Sequence, residues 1–291
     1  MSAQALDEAT VANRNLVALA TIARREVMRI LRIWTQTLIP PAITMTLYFL
    51  IFGKLIGSQV REMDGVRYMD FIVPGLVMMS VIQNSYGNIS SSFFGAKFGR
   101  HIEELLVSPM PNWVILLGYV AGAVLRGLMV GVIVLGIAML FTRVRVPHPF
   151  ITLATVLLGA TIFSLAGFIN AVFAKKFDDV AIVPTFILTP LTYLGGVFYS
   201  VDLLPQWAST MTHANPIFYM VNAFRFGLLN DSDVSMTLAF GLMLGFGVMV
   251  GLSMAGVTFV VVLGAVGRAV PPEKRTLAFG IVTAGGSMGQ F

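Results

Sequence analysis

The stretch that decides the fold covers residues 195–229 and reads GGVFYSVDLLPQWASTMTHANPIFYMVNAFRFGLL. It is too apolar for a water-exposed loop. It is also too interrupted for one continuous spanning helix, because Pro205 and Pro216 lack the amide hydrogen that a helix needs, and Asn215 and Arg225 place polar groups among aromatic side chains. Short re-entrant helices that dip into one face of a membrane satisfy both facts, and an interfacial loop is the alternative. These four residues are our candidates for a re-entrant gate.

The composition around this stretch is that of an integral membrane protein. Of the 291 residues, 57% are hydrophobic and 11% are charged, which leaves too little polar surface to cover a soluble globule. A spanning helix needs about 20 mainly apolar residues. We therefore predict an all-α membrane fold with six spans, near residues 38–57, 69–94, 113–141, 150–173, 180–200 and 236–264.

An amphipathic helix is predicted ahead of the first span, over residues 13–36. We expect it to lie flat on the inner membrane surface in contact with lipid, with its basic side toward anionic headgroups. Pro40 and Pro41 are predicted to mark the turn into the first span. The apolar face predicted by a 100° rotation per residue comprises Leu16, Ala20, Ala23, Val27, Ile30, Leu31 and Trp34.

The basic residues favour an orientation with both termini in the cytoplasm. This placement puts most Lys and Arg residues on the cytoplasmic side, as expected for a bacterial inner membrane protein, although Arg143 and Arg145 oppose it. The same residues are scattered between apolar segments and form no stripe, so we predict no nucleic-acid partner.

Two predicted spans carry polar stripes. A polar face in a membrane is expected to look inward, toward a partner helix or an aqueous path. Helix-to-helix hydrogen bonding and pathway lining are both open for these residues. They are Ser80, Asn84, Asn88 and Ser91 in the second span, and Thr185, Thr189 and Thr192 in the fifth.

Arg126 is the charge expected inside the membrane, near the middle of the third span. An unpaired charge at this depth costs about 2.5 kcal/mol or more, so the side chain is predicted to face the bundle interior. Its partner cannot be read from the sequence.

A short exposed helix is predicted between the second and third spans, with Arg100, Glu103 and Glu104 ahead of Leu105 and Leu106. Ser108, Pro109 and Pro111 end it. Its apolar side chains have no domain of this chain to pack on, which predicts docking to another subunit.

The sequence carries no recognisable energy-converting chemistry of its own. The GxxxxGK[ST] phosphate loop is absent, and the acidic residues lie in loops or at the ends of spans. His101, His148 and His213 are far apart in the sequence, so neither a metal site nor a catalytic residue is predicted. A transport role would therefore require energy from outside the chain.

Four motifs in order resemble the membrane subunit of ABC-2 type ATP-binding cassette exporters: YMDFIVPGL, IEELLVSPMP, GGVFYSVDLLPQW and NPIFYMVNAFRFGLL. The resemblance covers about residues 15–265. It implies a homodimer of six-span subunits, bound to two copies of a separate ATPase that holds ATP and Mg while this chain holds no cofactor. It also implies that Arg100, Glu103, Glu104, Leu105, Leu106 and Pro109 form a coupling helix, and that spans two and five line the path.

The resemblance sets three expected regions: a cytoplasmic N-terminus over 1–36, a six-span domain over 37–265, and a tail over 266–291. The tail departs from the family and instead resembles a short piece of a major facilitator transporter. The cargo implied is outward bound and amphipathic, glycan- or lipid-linked, or drug-like. A secondary transporter driven by an ion gradient and a membrane scaffold without transport remain the alternatives.

Overall fold

The computed structural model describes residues 3–57, 59–60, 62–63, 65–108 and 110–269. The described residues form two compact units that divide between residues 246 and 247, and this boundary falls within the last helix. The described helices are α1 (Ala3–Arg32), α2 (Trp34–Tyr48), α3 (Tyr68–Phe98), α4 (His101–Val107), α5 (Asn112–Phe141), α6 (Pro149–Phe173), α7 (Phe177–Val183), α8 (Thr189–Tyr193), α9 (Gln206–His213), α10 (Pro216–Leu229) and α11 (Met236–Ala269).

Two π-helical segments and one 3₁₀ turn extend this set. Phe49–Ile56 continues α2, Pro184–Leu188 joins α7 to α8, and Val201–Leu203 is the 3₁₀ turn. The two-residue strands β1 (Glu62–Met63) and β2 (Val66–Arg67) form a small antiparallel hairpin, in which Glu62 pairs with Arg67.

Four of the described helical segments are long and apolar enough to cross a membrane: Trp34–Ile56, Asn112–Phe141, Pro149–Phe173 and Met236–Met254. They match the first, third, fourth and sixth predicted spans. The second prediction corresponds to α3, which has 31 residues but carries the polar stripe. The fifth corresponds to the interrupted run α7–α8. The mainly helical fold is present, and the count of six spans stays a prediction.

α3 is the central helix of the first unit and packs against α5, α6 and α10. Its buried residues line most of its length, from Tyr68 to Ala96. Close packing is helped by glycines on its neighbours: a Cβ at Gly167 of α6 would stand 2.5 Å from the carbonyl oxygen of Tyr86. A polar helix thus lies at the centre of apolar ones, which is where its hydrogen-bonding groups find partners.

The prolines near the first span do not mark a turn. Pro40 and Pro41 lie inside α2, and the chain instead breaks at Ile33, between α1 and α2. Prolines inside membrane helices are tolerated because neighbouring groups satisfy the freed carbonyls. The predicted turn at these two residues was therefore wrong.

α1 packs lengthwise along the first half of α5. Ile22 of α1 lies against Gly118 and Glu26 lies against Gly122, so the two helices run in the same direction. Ile22, Glu26 and Ile30, spaced four residues apart, are buried. Leu16, Leu31 and Trp34 of the predicted apolar face are exposed, at 62%, 47% and 53%. Residues 22–30 thus belong to the bundle, while the outer apolar face has no partner in the described part of the chain.

Candidate functional site

The helix bundle of the first unit has two ends, and hydrogen bonds between helix termini show which termini lie together at each end. At one end the Arg67 guanidinium donates to Thr142 Oγ1 at 3.3 Å, and the His148 amide donates to the Gly227 carbonyl at 3.2 Å. At the other end the Lys97 ammonium donates to the carbonyls of Val172 and Ala174 at 2.6 and 2.7 Å. The successive helices α3, α5 and α6 therefore run in alternating directions between these two ends. We call the end at Lys97 the α4 end, because α4 follows α3 there.

The predicted short helix between the second and third spans is present as α4. Arg100 precedes it in the left-handed conformation with φ of 59°, and Arg100, Glu103 and Glu104 are exposed. Ile102 is buried, and Leu105 packs against the same buried cluster of α3 and α5 side chains. The expectation that the apolar side of this helix has nothing in its own chain to contact was therefore wrong. Leu106 lies on α4, and Pro109 lies outside the described residues.

A polar cluster joins α1, α3 and α5, and we define it as Glu26, Arg29, Asn84, Asn88, Ser92 and Arg126. Glu26 is 1% exposed, and its Oε2 accepts from the Arg29 guanidinium at 2.9 Å and from Ser92 Oγ at 2.7 Å. Arg29 also donates to Asn88 Oδ1 at 2.9 Å. Arg126 donates to Asn88 Oδ1 at 3.5 Å and to Asn84 Oδ1 at 3.4 Å. Arg126 is thus partnered by the polar stripe of α3.

The remaining stripe residues of α3 make local bonds. Ser80 is fully buried and donates to the Leu76 carbonyl at 2.8 Å, whereas Ser91 is exposed and donates to the Gly87 carbonyl at 2.7 Å. Helix-to-helix bonding accounts for Asn84 and Asn88. The exposed Ser91 leaves pathway lining open for the outer edge of the stripe.

The threonine stripe meets α3 at one observed hydrogen bond. Thr192 is buried and accepts from Gln83 Nε2 at 3.5 Å. Thr189 donates to the Pro184 carbonyl at 2.8 Å, and Thr185 is exposed. The Pro184 carbonyl also accepts from the Thr189 backbone amide, so the hydroxyl adds a second bond to it. The Val180 carbonyl, which loses its usual amide donor at Pro184, accepts from Asn170 Nδ2 at 3.0 Å instead.

The stretch before the last helix folds into two short helices, and their re-entrant placement in a membrane stays a prediction. Pro205 precedes α9, and Asn215 caps α10 by accepting from the Ile217 amide at 3.0 Å. Asn215 also donates to the Leu191 carbonyl at 2.6 Å, and Pro216 occupies the first position of α10, where no amide hydrogen is needed. The break between the two helices is therefore fixed by hydrogen bonds at Asn215.

Arg225 is fully buried. Its guanidinium donates to the Gly196 carbonyl at 2.7 Å and to Asp233 at 3.4 Å, and it lies over the Phe71 ring at 3.9 Å from the centroid. Gly196 has φ of +72°, a conformation that glycine adopts without strain. Arg225 thus joins α10, the turn at Gly196 and α3, and we expect it to position this region.

α7 begins at the α4 end of the bundle and is capped by a carboxylate. Asp179 Oδ2 accepts from the amides of Lys175 and Lys176 at 2.8 and 3.0 Å. These two bonds hold the pKa of Asp179 below its usual value. The carboxylate is therefore charged at neutral pH and fixes the turn that follows α6.

Taken together, the chain is a multi-helix membrane protein with a short, acidic helix at one end of its bundle and two short helices before its last long helix. The family model of the ABC-2 type transporter matches residues 17–229. The chain belongs to the ABC-2 type transporter family, and it is a transport permease of that family.

Curated relatives agree with this assignment. The chain is 57% identical over 231 residues to the "Inner membrane transport permease YadH" of Escherichia coli K12, covering 79% of this chain and 90% of that protein. It is 25% identical over 186 residues to "Nodulation protein J" of Sinorhizobium fredii, covering 64% of this chain and 70% of that protein. The Rhizobium meliloti protein of the same name is 23% identical over 196 residues, with 67% and 75% covered.

Proposed function

We propose that the chain is the membrane subunit of an ATP-driven exporter, and that it works as a homodimer with two copies of a separate ATPase. The observation that carries this proposal is α4. It presents Glu103 and Glu104 to solvent at one end of a bundle that belongs to a transporter family. An exposed acidic face beside an anchored apolar face suits a rigid contact that passes force from a partner to α3 and α5.

The apolar side of α4 is anchored to α3 and α5. Ile102 and Leu105 hold α4 against the cluster that contains Phe94 of α3 and Tyr119 of α5. A push on Glu103 and Glu104 is therefore transmitted directly to two long helices rather than absorbed by a loose loop. Movement of α3 relative to α8, across the Gln83–Thr192 contact, would then open a path beside the polar stripes.

The location, orientation and cargo complete the proposal. YadH is named an inner membrane permease, which supports the inner membrane as the location. With α4 and its partner in the cytoplasm, α9 and α10 lie toward the outer surface and gate an outward path. The cargo is amphipathic, glycan- or lipid-linked, or drug-like. ATP and Mg belong to the partner, which agrees with the absence of a phosphate loop in this sequence.

Copurification and ATP turnover test this proposal. The chain is expressed with a candidate P-loop ATPase from the same organism, and the complex is compared with the variant that carries both Glu103→Ala and Glu104→Ala. Since contact residues at the centre of an interface contribute about 1–3 kcal/mol each, we expect copurification to fall at least about tenfold and ATP turnover to fall with it. The control is Asp202→Ala, which removes an exposed carboxylate in the 3₁₀ turn. Unchanged binding and turnover in the double variant contradict the proposal.

A further inference from the structure

We propose that the polar cluster is a binding site for a phosphate-bearing group, which sits between Arg29 and Arg126 beside Asn88. Assigning that group to the exported cargo rests on the proposed function, whereas the binding itself does not. The ion pairs of the cluster, the hydrogen bonds that are missing from it and the open space beside it support this inference.

The charges of the cluster do not balance. In the part of the chain that the structure describes, the ion pairs here all use Glu26, which lies 2.9 Å from Arg29 and 3.8 Å from Arg25. Among these same residues, Arg126 is held through the amide oxygens of Asn84 and Asn88. Two guanidinium groups therefore converge on the single oxygen Asn88 Oδ1, and their mutual repulsion favours an anion between them.

Several buried donors beside these guanidiniums make no hydrogen bond to any described residue. Asn88 is 0% exposed, and while its Oδ1 accepts from both arginines, its Nδ2 has no acceptor among the described residues. Arg126 Nε and Ser85 Oγ are likewise buried without a partner. A buried donor without an acceptor costs about 1–3 kcal/mol. Such groups indicate a missing acceptor, and a phosphate supplies several acceptor oxygens at once.

The cluster can be reached from the exposed edge of α3. The Arg29 side chain is 32% exposed and Ser91 is exposed. Apart from the nearby backbone of α3 itself, no described atom lies within 4 Å of where a Cβ of Gly87 or Gly95 would stand, so the surface beside Asn88 is open. A phosphate approaching along this edge meets Arg29 and Arg126 first, and guanidinium groups bind phosphate oxygens in a bidentate manner.

Ligand-induced stabilisation measures this binding on the full chain in phosphatidylcholine nanodiscs. Inorganic pyrophosphate is the soluble probe, and phosphatidylglycerol added to the nanodisc is the lipid probe. A probe that binds the folded chain raises the midpoint of thermal unfolding. A response to pyrophosphate indicates a free phosphate as the ligand, and a response to phosphatidylglycerol alone indicates a lipid headgroup.

The decisive variants change charge while keeping size. We expect Arg126→Gln to weaken the response about tenfold, Arg126→Lys to keep most of it, and Arg145→Gln, an exposed position between α5 and α6, to leave it unchanged. Asn88→Asp supplies a fixed carboxylate between the two arginines, so it should raise the midpoint without probe and abolish the response. The proposal is overturned if neither probe shifts the wild-type midpoint, or if Arg126→Gln and Asn88→Asp respond as the wild type does.

Discussion

At Glu26 a carboxylate is buried in a helix whose other ionisable groups are mostly exposed. Its position is made tolerable by Arg29 and Ser92, which supply three charge-assisted hydrogen bonds to one oxygen. The Arg29 guanidinium in turn reaches Asn88 of α3. Glu26 therefore joins α1 to α3 through side chains that carry charge.

Replacing Glu26 by Gln should destabilise the fold. The substitution keeps the volume but removes the only carboxylate near two arginines in the described part of the chain, and it leaves their positive charges uncompensated. Breaking a fully buried pair costs about 3–5 kcal/mol, and because Arg29 is 32% exposed we expect about 2 kcal/mol here. Thermal unfolding in a mild detergent measures this loss. The exposed Glu104→Gln is the matched control, and an equal midpoint for both variants would contradict the assigned role.

Sequence reasoning missed Glu26, although a signal was present. Ile22, Glu26 and Ile30 repeat at intervals of four residues, so an acidic side chain stands in the middle of an apolar row. Such a row predicts a buried carboxylate with a partner. The apolar face that we predicted for residues 13–36 from the 100° rotation per residue instead included Leu16 and Trp34. Amphipathicity alone does not distinguish a side that packs on protein from one that meets lipid.

Arg225 offers a second test at the residue scale. Lysine keeps the charge but cannot reach Gly196 and Asp233 while stacking flat on Phe71, so Arg225→Lys should cost about 2–3 kcal/mol. Thermal unfolding again provides the measurement, with the exposed Arg143→Lys as the control. If Arg225→Lys unfolds at the wild-type midpoint, then the buried contacts do not hold α10 in place.

At the scale of elements, the packing of α1 on α5 depends on glycine. A Cβ at Gly122 would collide with Cβ of Glu26, whereas no described atom of another helix lies within 4 Å of the same position at Gly136 on the same helix. Close approach of two helices at a glycine is a recurring arrangement in membrane proteins. These two glycines therefore form a matched pair within one helix.

We predict opposite outcomes for alanine at the two sites. Gly122→Ala must push α1 away from α5 and should lower the free energy of unfolding by about 1–3 kcal/mol. Gly136→Ala meets no neighbouring helix in the described part of the chain and should be neutral or raise it by up to about 1 kcal/mol, because alanine favours helix. Denaturant unfolding measures both. A loss of equal size at both positions would mean that packing against α1 does not explain the change.

The elements themselves were predictable to different degrees. The breaks at Pro205 and Pro216 followed from proline chemistry, whereas the cap at Asn215 was not predicted, although asparagine is a preferred residue at that position. The π-helical segments at Phe49–Ile56 and Pro184–Leu188 were not predicted, since a π-helix differs from an α-helix by one hydrogen-bond register and leaves no clear pattern in apolar spacing. The role of Asn88 as an inter-helix partner also depended on tertiary contacts.

In the first unit, segments that were predicted to lie on the same side of the membrane also lie at the same end of the bundle. The chain segments expected outside, around Thr142 and His148, meet α3 and α10 at one end. Lys97, expected inside, meets the carbonyls at the end of α6 at the other. If one helix ran in the opposite direction, segments predicted outside and inside would lie at the same end. Because they do not, one labelled residue at each end is enough to test the orientation.

The cysteine-free sequence allows a direct measurement of that orientation. Arg145→Cys and His101→Cys each introduce one thiol at an exposed position, the first between α5 and α6 and the second on α4. In intact spheroplasts a membrane-impermeable maleimide should label the thiol at position 145 and not the one at 101, because the proposed function requires α4 to lie in the cytoplasm. After permeabilisation both should be labelled, which controls for reactivity. The reverse pattern would place α4 outside the cell and would contradict its role as the contact for an ATPase.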